Sequence, residues 1–569
     1  MFYDVADILQ LIQRILMKLR IGRSFDFKLV SDPAIADKVY KMEQRVRWRD
    51  PTIIERKIDQ TSLVLDDGQA NDPEFSFLVV GDSGSGAHRD HHPQRKVAEL
   101  MLPHHQQCRF MLHTGDVIYL VGSSEYYGNN FIAPYREFLV GGENPKSIPY
   151  DQMVFSLPIL PVLGNHDYYD LPILSGLMSL AATPVRFLLR SRLDLDVGWQ
   201  GSKQGDAYAR AFLDYIKALP PEKLVHHLDQ HYTASTHTGR CLRYQPSNFT
   251  RLPNRYYTFH YGGIDFFALD SNTFNAPSPL PTTPEGKVYR QRLEERCELL
   301  KREKLEILEQ TATLNRNNPE ESDQLDDFRV KLSQIEEVEV DITKQLTSNE
   351  NVMVDWEQLD WLKQRLIASW QTADVRGRIL YFHHPPYVTE ATKWQQAQTL
   401  AVRHRLRYVL DEVAKEVGDL AQGRPLVNLV LTGHAHCLEH LKTLDTGHAD
   451  SNINWIICGG SGYSLRRQRP EGSKLREAFD EFGVENQALG ADAPGQTDRF
   501  EIPASDRLVA DSQLFIGRSG YGNQKRRPYS SLRIDVKAGN PPKFIIHPLV
   551  AEWHQHQWQD HPMKPFVIE

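Results

Sequence analysis

The apolar run Ile159–Leu163 leads straight into Gly164-Asn165-His166-Asp167, and this junction constrains the fold more than any other stretch. Open α/β sheets place their sites at the carboxyl ends of strands, so a buried strand ending in Gly-Asn-His-Asp predicts polar side chains held at such an edge. Asn165 offers a metal a neutral oxygen. His166 beside it can protonate a leaving group or steady developing charge. Gly-Asn is also ordinary turn chemistry, so a turn carrying a solvated His fits the same four residues.

Four other apolar runs end in the same way. Phe75–Val80 stops at Gly81-Asp82-Ser83-Gly84, and Phe110–His113 stops at Gly115-Asp116. Ile379–Phe382 runs into His383-His384-Pro385-Pro386, and Leu426–Leu431 runs into Thr432-Gly433-His434-Ala435-His436. In extended chain, positions two apart point the same way, so His434 and His436 can aim into one cavity. Oxygen or nitrogen donors thus close five strands, at Asp82, Asp116, Asn165, His383 and His434. That is the inventory of a two-metal hydrolytic site, in which one bridging carboxylate holds cations ~3.5–4 Å apart.

Helical stretches separate these strands. They include Pro93–Leu102, a helix over 400–420, and the amphipathic Trp356–Ser369 with Asp355 as its N-cap. Further strands are predicted at Tyr256–His260, Ile264–Leu269, Trp455–Cys458, Leu514–Ile516, Leu532–Val536 and Phe544–His547. The alternation predicts a layered α/β domain with its site at the strand ends. Gly81–Gly86 is glycine-rich but lacks the Gly-Lys-Ser/Thr ending of a nucleotide P-loop.

The rest of the 569 residues is read as insertions and extensions. Residues 1–70 are expected to form an N-terminal helical extension, with Val5, Ile8, Leu9, Ile12, Leu16 and Leu19 at helical spacing. The catalytic domain is expected over 71–284 and again over 351–569. Within the first part, 171–250 reads as a lid-like insertion with a helix at Ala207–Leu219. Between the parts, 285–350 carries 17 acidic and 11 basic side chains. Two heptad runs, from Leu293 to Leu314 and from Leu325 to Leu346, flank the breaker Asn315–Pro319. They predict an antiparallel helical hairpin, either a solvated spacer or a surface for self- or partner association.

A net charge of −8 gives no basis for nucleic-acid binding. No apolar stretch reaches the ~18 residues of a spanning helix. The N-terminus has no continuous apolar h-region, and five scattered cysteines form neither a CxxC pair nor a disulfide framework. A cytoplasmic location is the expectation. Cys437 adjoins His436 without an evident partner for thiol chemistry, Glu439 reads as structural, and His88, His91 and His92 line either a substrate mouth or a solvated loop.

The blocks GDSG (81–84), GDVIY (115–119), GNHD (164–167), HHP (383–385) and GHAH (433–436) resemble the calcineurin-like metallophosphoesterase superfamily in order and content. Within it the pattern is most similar to the purple acid phosphatases, including the tartrate-resistant type. The resemblance covers about residues 75–280 and 351–465. It implies a four-layer α/β/β/α sandwich of two mixed sheets with an inserted helical hairpin. It also implies Asp82, Tyr119 and His436 on a first metal, Asp116 bridging both, and Asn165, His383 and His434 on a second. His166 is then the catalytic group beside the phosphoryl oxygens, and an activated hydroxide attacks phosphorus.

The superfamily usually has a His where this chain has Gly84, and Tyr119 can replace that ligand as a phenolate. A hard anionic donor favours Fe(III), paired with Fe, Zn or Mn. Ser83 departs from the aromatic residue common in purple enzymes. The expected function is hydrolysis of phosphoesters, chiefly phosphomonoesters, with a small phosphorylated substrate. The alternatives are a phosphodiesterase or nucleotide-pyrophosphatase with two divalent ions such as Mn, and an inactive scaffold that binds partners through 285–350.

Overall fold

The computed structural model describes residues 30–84, 91–171, 201–312, 314–315, 318–478, 506–520, 524–554 and 557–569. The expected helix Val5–Leu19, the loop around His88 and the 172–200 part of the expected lid lie outside the described residues.

The first half of the chain contributes β1 (Ile58–Leu65), β2 (Phe75–Val80), β3 (Cys108–His113), β4 (Ile159–Pro161), β5 (Ala234–Thr236), β6 (Gly239–Tyr244), β7 (Tyr257–Tyr261) and β8 (Ile264–Ala268). The second half contributes β9 (Gly377–Tyr381), β10 (Leu429–Thr432), β11 (Leu438–Thr443), β12 (Asn454–Cys458), β13 (Lys474–Ala478), β14 (Asp506–Ile516), β15 (Arg527–Lys537), β16 (Lys543–His554), β17 (Gln557–Asp560) and β18 (Phe566–Ile568). They form two mixed sheets. The smaller runs β17-β16-β15-β2-β3-β4, with β18 against β16. The larger runs β13-β14-β11-β12-β10-β9-β8-β7-β1-β6-β5.

Five helices matter for the site: α1 (Pro93–Met101), α2 (Pro284–Ala312), α3 (Pro319–Thr347), α4 (Trp356–Gln371) and α5 (Ala397–Val417). Side-chain alternation along β8 and β9 builds two cores. Phe266, Ile379 and Tyr381 face the smaller sheet and join Phe77, Phe110 and Ile534. Phe267 and Leu380 face the other way, onto Leu359 and Leu362 of α4 and Val402 and Leu406 of α5. The Phe77 and Phe266 rings meet edge-on at 5.7 Å. Removing such a buried ring costs about 3–5 kcal/mol. With α1 against β15 and β16, the layers run α/β/β/α. Asp355 caps α4 as expected, accepting the Gln358 N–H at 3.3 Å.

The N-terminal 70 residues are not purely helical. Helices Ile35–Val46 and Pro51–Glu55 give way to β1, which lies between β7 and β6 in the larger sheet. Its polar centre hides it from an apolar-periodicity reading. Asp59 accepts from the backbone and hydroxyl of Thr61 at 2.9 and 2.7 Å and from Ser62 at 2.7 Å, while Gln60 donates to the Val46 carbonyl at 2.8 Å. The described part of 171–250 also departs from a lid, because β5 and β6 extend that sheet beyond β1. The helix expected over Ala207–Leu219 spans only Asp206–Phe212.

Helices α2 and α3 run antiparallel, with Arg290 near the start of α2 donating to the Leu346 carbonyl near the end of α3 at 3.1 Å. They are not a solvated spacer. Lys304 is buried between Glu336 and Glu339, and Glu337 and Asp341 are buried as well. The apolar stripe (Leu293, Ile307, Leu325, Leu332, Ile335 and Ile342) is covered within this chain, so it needs no second copy to bury it. No described helix is long and apolar enough to cross a membrane.

Candidate metal centre

Strands β2, β3 and β4 of one sheet and β9 and β10 of the other deliver their C-terminal residues to one place. Backbone hydrogen bonds knit the ends together: Asp82 N–H to the Gly115 carbonyl at 2.9 Å, and Gly433 N–H to the His383 carbonyl at 3.0 Å. Three of the donor-bearing residues, Asp82, Asp116 and His434, take left-handed φ values of 52°, 54° and 65°. Such conformations cost of order 1–3 kcal/mol each in non-glycine residues and persist where the surroundings over-determine them.

Two donor groups result. In the first, the Tyr119 hydroxyl lies 2.7 Å from Asp116 Oδ2, 2.9 Å from Asp82 Oδ1 and 3.1 Å from His436 Nε2. In the second, Asn165 Oδ1 lies 2.9 Å from both His383 Nε2 and His434 Nδ1, and His383 Nε2 is 3.3 Å from Asp116 Oδ2. Asp116 therefore belongs to both. Partners behind the rings set their tautomers. His383 Nδ1 donates to the Thr114 carbonyl and His436 Nδ1 to the Ser464 carbonyl, each at 2.9 Å, which leaves both Nε2 atoms as donors of a lone pair. All seven residues are buried, as is His166.

Gly84 explains the first group. A Cβ there would stand 2.4 Å from the Val117 carbonyl oxygen and 2.6 Å from Ile118 Cα, so no side chain fits. Gly164 serves the same close approach, since a Cβ there would meet Asp116 Oδ1 at 2.1 Å.

The donor chemistry fits two cations. Four oxygens and three imidazole nitrogens converge with no basic side chain among them, and the groups press on one another electrostatically. Burial and the Asp116 charge push Asp82 well above the carboxylate range. Burial opposes charge on His383, yet the Asp116 carboxylate pushes the ring up to about 9, and in return His383 holds Asp116 low. Burial, then Asp116 and Asp82, lift the Tyr119 phenol well above its usual value. Among these donors the His383 ring answers the Asp116 charge, a role that a bound cation would take over.

His166 places its Nδ1 2.5 Å from the Leu120 carbonyl, and its ring lies 4.2 Å from Tyr119. His384, the alternative in the His-His pair, turns its Nδ1 to Ser271 Oγ at 2.8 Å. Even so, ligand atoms of His383, His384 and His434 lie within 4.8 Å of one another, as do those of Asp82, Asp116 and His383. Asp167 was missed by sequence reasoning. Its carboxylate accepts from the backbone N–H groups of Gly164, Asp116 and Val117 at 2.9, 3.0 and 3.1 Å, which clamps the β3 and β4 loops together. Its place in the Gly-Asn-His-Asp block was the available signal. His91 does not line a mouth: its ring stacks on Trp553 at 4.7 Å. The buried Cys437 thiol is raised far above its usual value by burial and Glu439, which leaves it inert. A separate cavity of about 270 Å³, lined by Ser124, Tyr150, Asp206 and Arg210 among others, shares no residue with the cluster.

No family model matches the chain, and no curated protein does. Several solved structures are similar to it. A purple acid phosphatase from yellow lupin (Lupinus luteus) seeds is 10% identical over 88% of this chain and 54% of its own, with a TM-score of 0.38. The anchor protein GAP50 of the Plasmodium inner membrane complex is 11% identical over 87% of this chain and 88% of its own, at 0.35. A dimetal phosphatase from Danio rerio is 11% identical over 87% of this chain and 99% of its own, at 0.32. The match thus spans about half of the lupin enzyme. These likenesses are distant, and the two-sheet architecture rests on this chain's own strand order.

Proposed function

We propose that the chain hydrolyses phosphoesters, chiefly phosphomonoesters, at a dinuclear metal centre. The observation that supports this most is Asp116, one carboxylate shared by two donor groups. Asp82, Tyr119 and His436 would hold the first metal with Asp116, and Asn165, His383 and His434 would hold the second. When bound, the metals lower the pKa of a water and offset the charge of the phosphoryl group. The protein's own part is positioning. Asp167 fixes the loop that carries Asn165 and His166 against the loop that carries Asp116. His166 commits Nδ1 to the Leu120 carbonyl, which leaves Nε2 to exchange a proton with the leaving oxygen.

The metal pair follows from Tyr119. Bound as a phenolate it suits Fe(III) with Fe, Zn or Mn. A second reading has its own support: the Tyr119 ring stacks on Tyr463 at 4.0 Å and its hydroxyl is satisfied by two carboxylates. As a packed, neutral phenol it suits two divalent ions such as Mn, with a phosphodiester or nucleotide pyrophosphate as substrate. Turnover of a panel of phosphomonoesters and phosphodiesters by metal-loaded protein tests the choice. Preference for monoesters supports the first reading, and exclusive turnover of diesters or pyrophosphates supports the second.

A further inference from the structure

The donor residues are buried, and a helix of the charged hairpin packs beside them. Leu332 and Ile335 of α3 share one apolar cluster with Tyr119, Tyr169 and Tyr463. One turn away, Glu337 projects into a pair of buried cations. Its Oε2 accepts from Lys393 Nζ at 2.7 Å and its Oε1 from Arg466 Nη2 at 3.2 Å, with Ser333 Oγ donating to the same oxygen at 3.2 Å. Lys393 and Arg466 are each only 1% exposed, and Arg466 Nε has no hydrogen-bond partner.

These charges belong to the neighbourhood of the site. The Arg466 backbone N–H donates to the His436 carbonyl at 2.9 Å. Glu337 acts electrostatically on Tyr119, His166 and His436, and Lys393 acts on His166, His434 and His436. Helix α3 has other anchors. Lys304 pairs with Glu336 and Glu339, and Asp341 accepts the N–H groups of Ala397 and Gln398 at the start of α5 at 3.0 and 3.1 Å. Glu337 is the carboxylate of α3 that faces the cations beside the donor groups.

We propose that Lys393 and Arg466 form the subsite for a phosphoryl oxyanion of the substrate, and that Glu337 occupies it in the closed state as a built-in competitor. This deepens the phosphoesterase reading and rests on it. Lys393 and Arg466 also act on the buried Glu390, whose carboxyl burial raises above its usual range, and a phosphoryl dianion brings more charge and more acceptor oxygens than Glu337 supplies. Substrate entry exchanges one anion for the other and requires α3 to lift. Lys393, Arg466 and Glu337 are thereby residues that set affinity for phosphorylated ligands, outside the metal ligands.

Calorimetric titration of metal-loaded, full-length protein with inorganic phosphate tests this. Glu337→Gln is expected to bind phosphate about 10-fold or more tightly than wild type, because the competing closed state is weakened. Adding Arg466→Gln to it should remove the gain. Should Glu337→Gln fail to fold, Asp341→Asn loosens the docking of α3 while leaving Glu337, Lys393, Arg466 and their hydrogen bonds in place, and it is expected to tighten phosphate binding by a smaller factor. Unchanged or weaker phosphate affinity in the folded variant, either Glu337→Gln or its replacement Asp341→Asn, would overturn the subsite. The titration needs no turnover. An inactive protein would contradict the hydrolase reading, while tighter phosphate binding by Glu337→Gln would still support the subsite.

Discussion

Asp116 joins His166 across two strand ends: its Oδ1 accepts the His166 backbone N–H at 2.8 Å, while its Oδ2 accepts the Tyr119 hydroxyl at 2.7 Å. One carboxylate thus fixes the loop of His166 and sits at the junction of both donor groups. The left-handed backbone at Asp116 aims the side chain into this position.

Asp116→Ala and His434→Ala are each expected to remove metal and turnover together. Each should reduce metal affinity by more than the about 10–100-fold that partners behind metal ligands contribute. Metal content after gel filtration, read beside activity, checks this. Variants that keep full metal content would exclude these residues as ligands.

His166→Ala should behave differently. It keeps every proposed ligand, so metal content is expected to hold while kcat falls by about 10²–10⁴-fold, the range for an acid–base group. Unchanged turnover would take His166 out of the chemistry.

Asp59 in β1 provides a pH prediction away from the metals. Burial disfavours its charge, but Arg365, Thr238, Thr61 and Ser62 outweigh burial and hold the carboxyl at about 2 instead of the usual 3.8. Its ionised form therefore stabilises the fold above about pH 4, and that stability is lost as the pH falls through about 2. The shift is worth about 2 kcal/mol. Asp59→Asn is expected to lower neutral-pH stability by about that amount and to flatten acid unfolding between pH 4 and 2. Identical acid profiles for variant and wild type would contradict the ion pair.

The five strand ends were legible because each couples a short apolar run to a donor, four of them with a glycine beside it, and both signals are local. Gly84 was legible as a missing ligand, and the structure supplies the steric reason. Strand β1 was not, because Thr61 and Ser62 turn to Asp59, while Asp59 and Gln60 reach Arg365 and the Val46 carbonyl, partners a linear reading cannot place. The hairpin's heptads were legible as helices, but a heptad stripe looks the same whether it meets another chain or its own core. Glu337, Lys393 and Arg466 lie 56 residues or more apart in pairs across the chain and leave no local trace.

Tyr119→Phe separates the two metal readings. If Tyr119 binds Fe(III) as a phenolate, the iron-loaded protein is expected to show a visible charge-transfer band that the variant loses, while Asp82, Asp116 and His436 still hold a weaker metal. Absorption spectra of both proteins check this. A colourless wild type with two Mn ions, unaffected by the substitution, would make Tyr119 a packing residue.

The most direct test of the central claim is the metal stoichiometry of the purified full-length chain, measured by elemental analysis alongside phosphoester turnover before and after chelation. The account predicts about two metal ions per chain, loss of turnover on chelation and recovery on adding metal back. A folded chain that binds no metal on exposure to Fe, Zn or Mn, or that hydrolyses phosphoesters equally well after complete chelation, would contradict it.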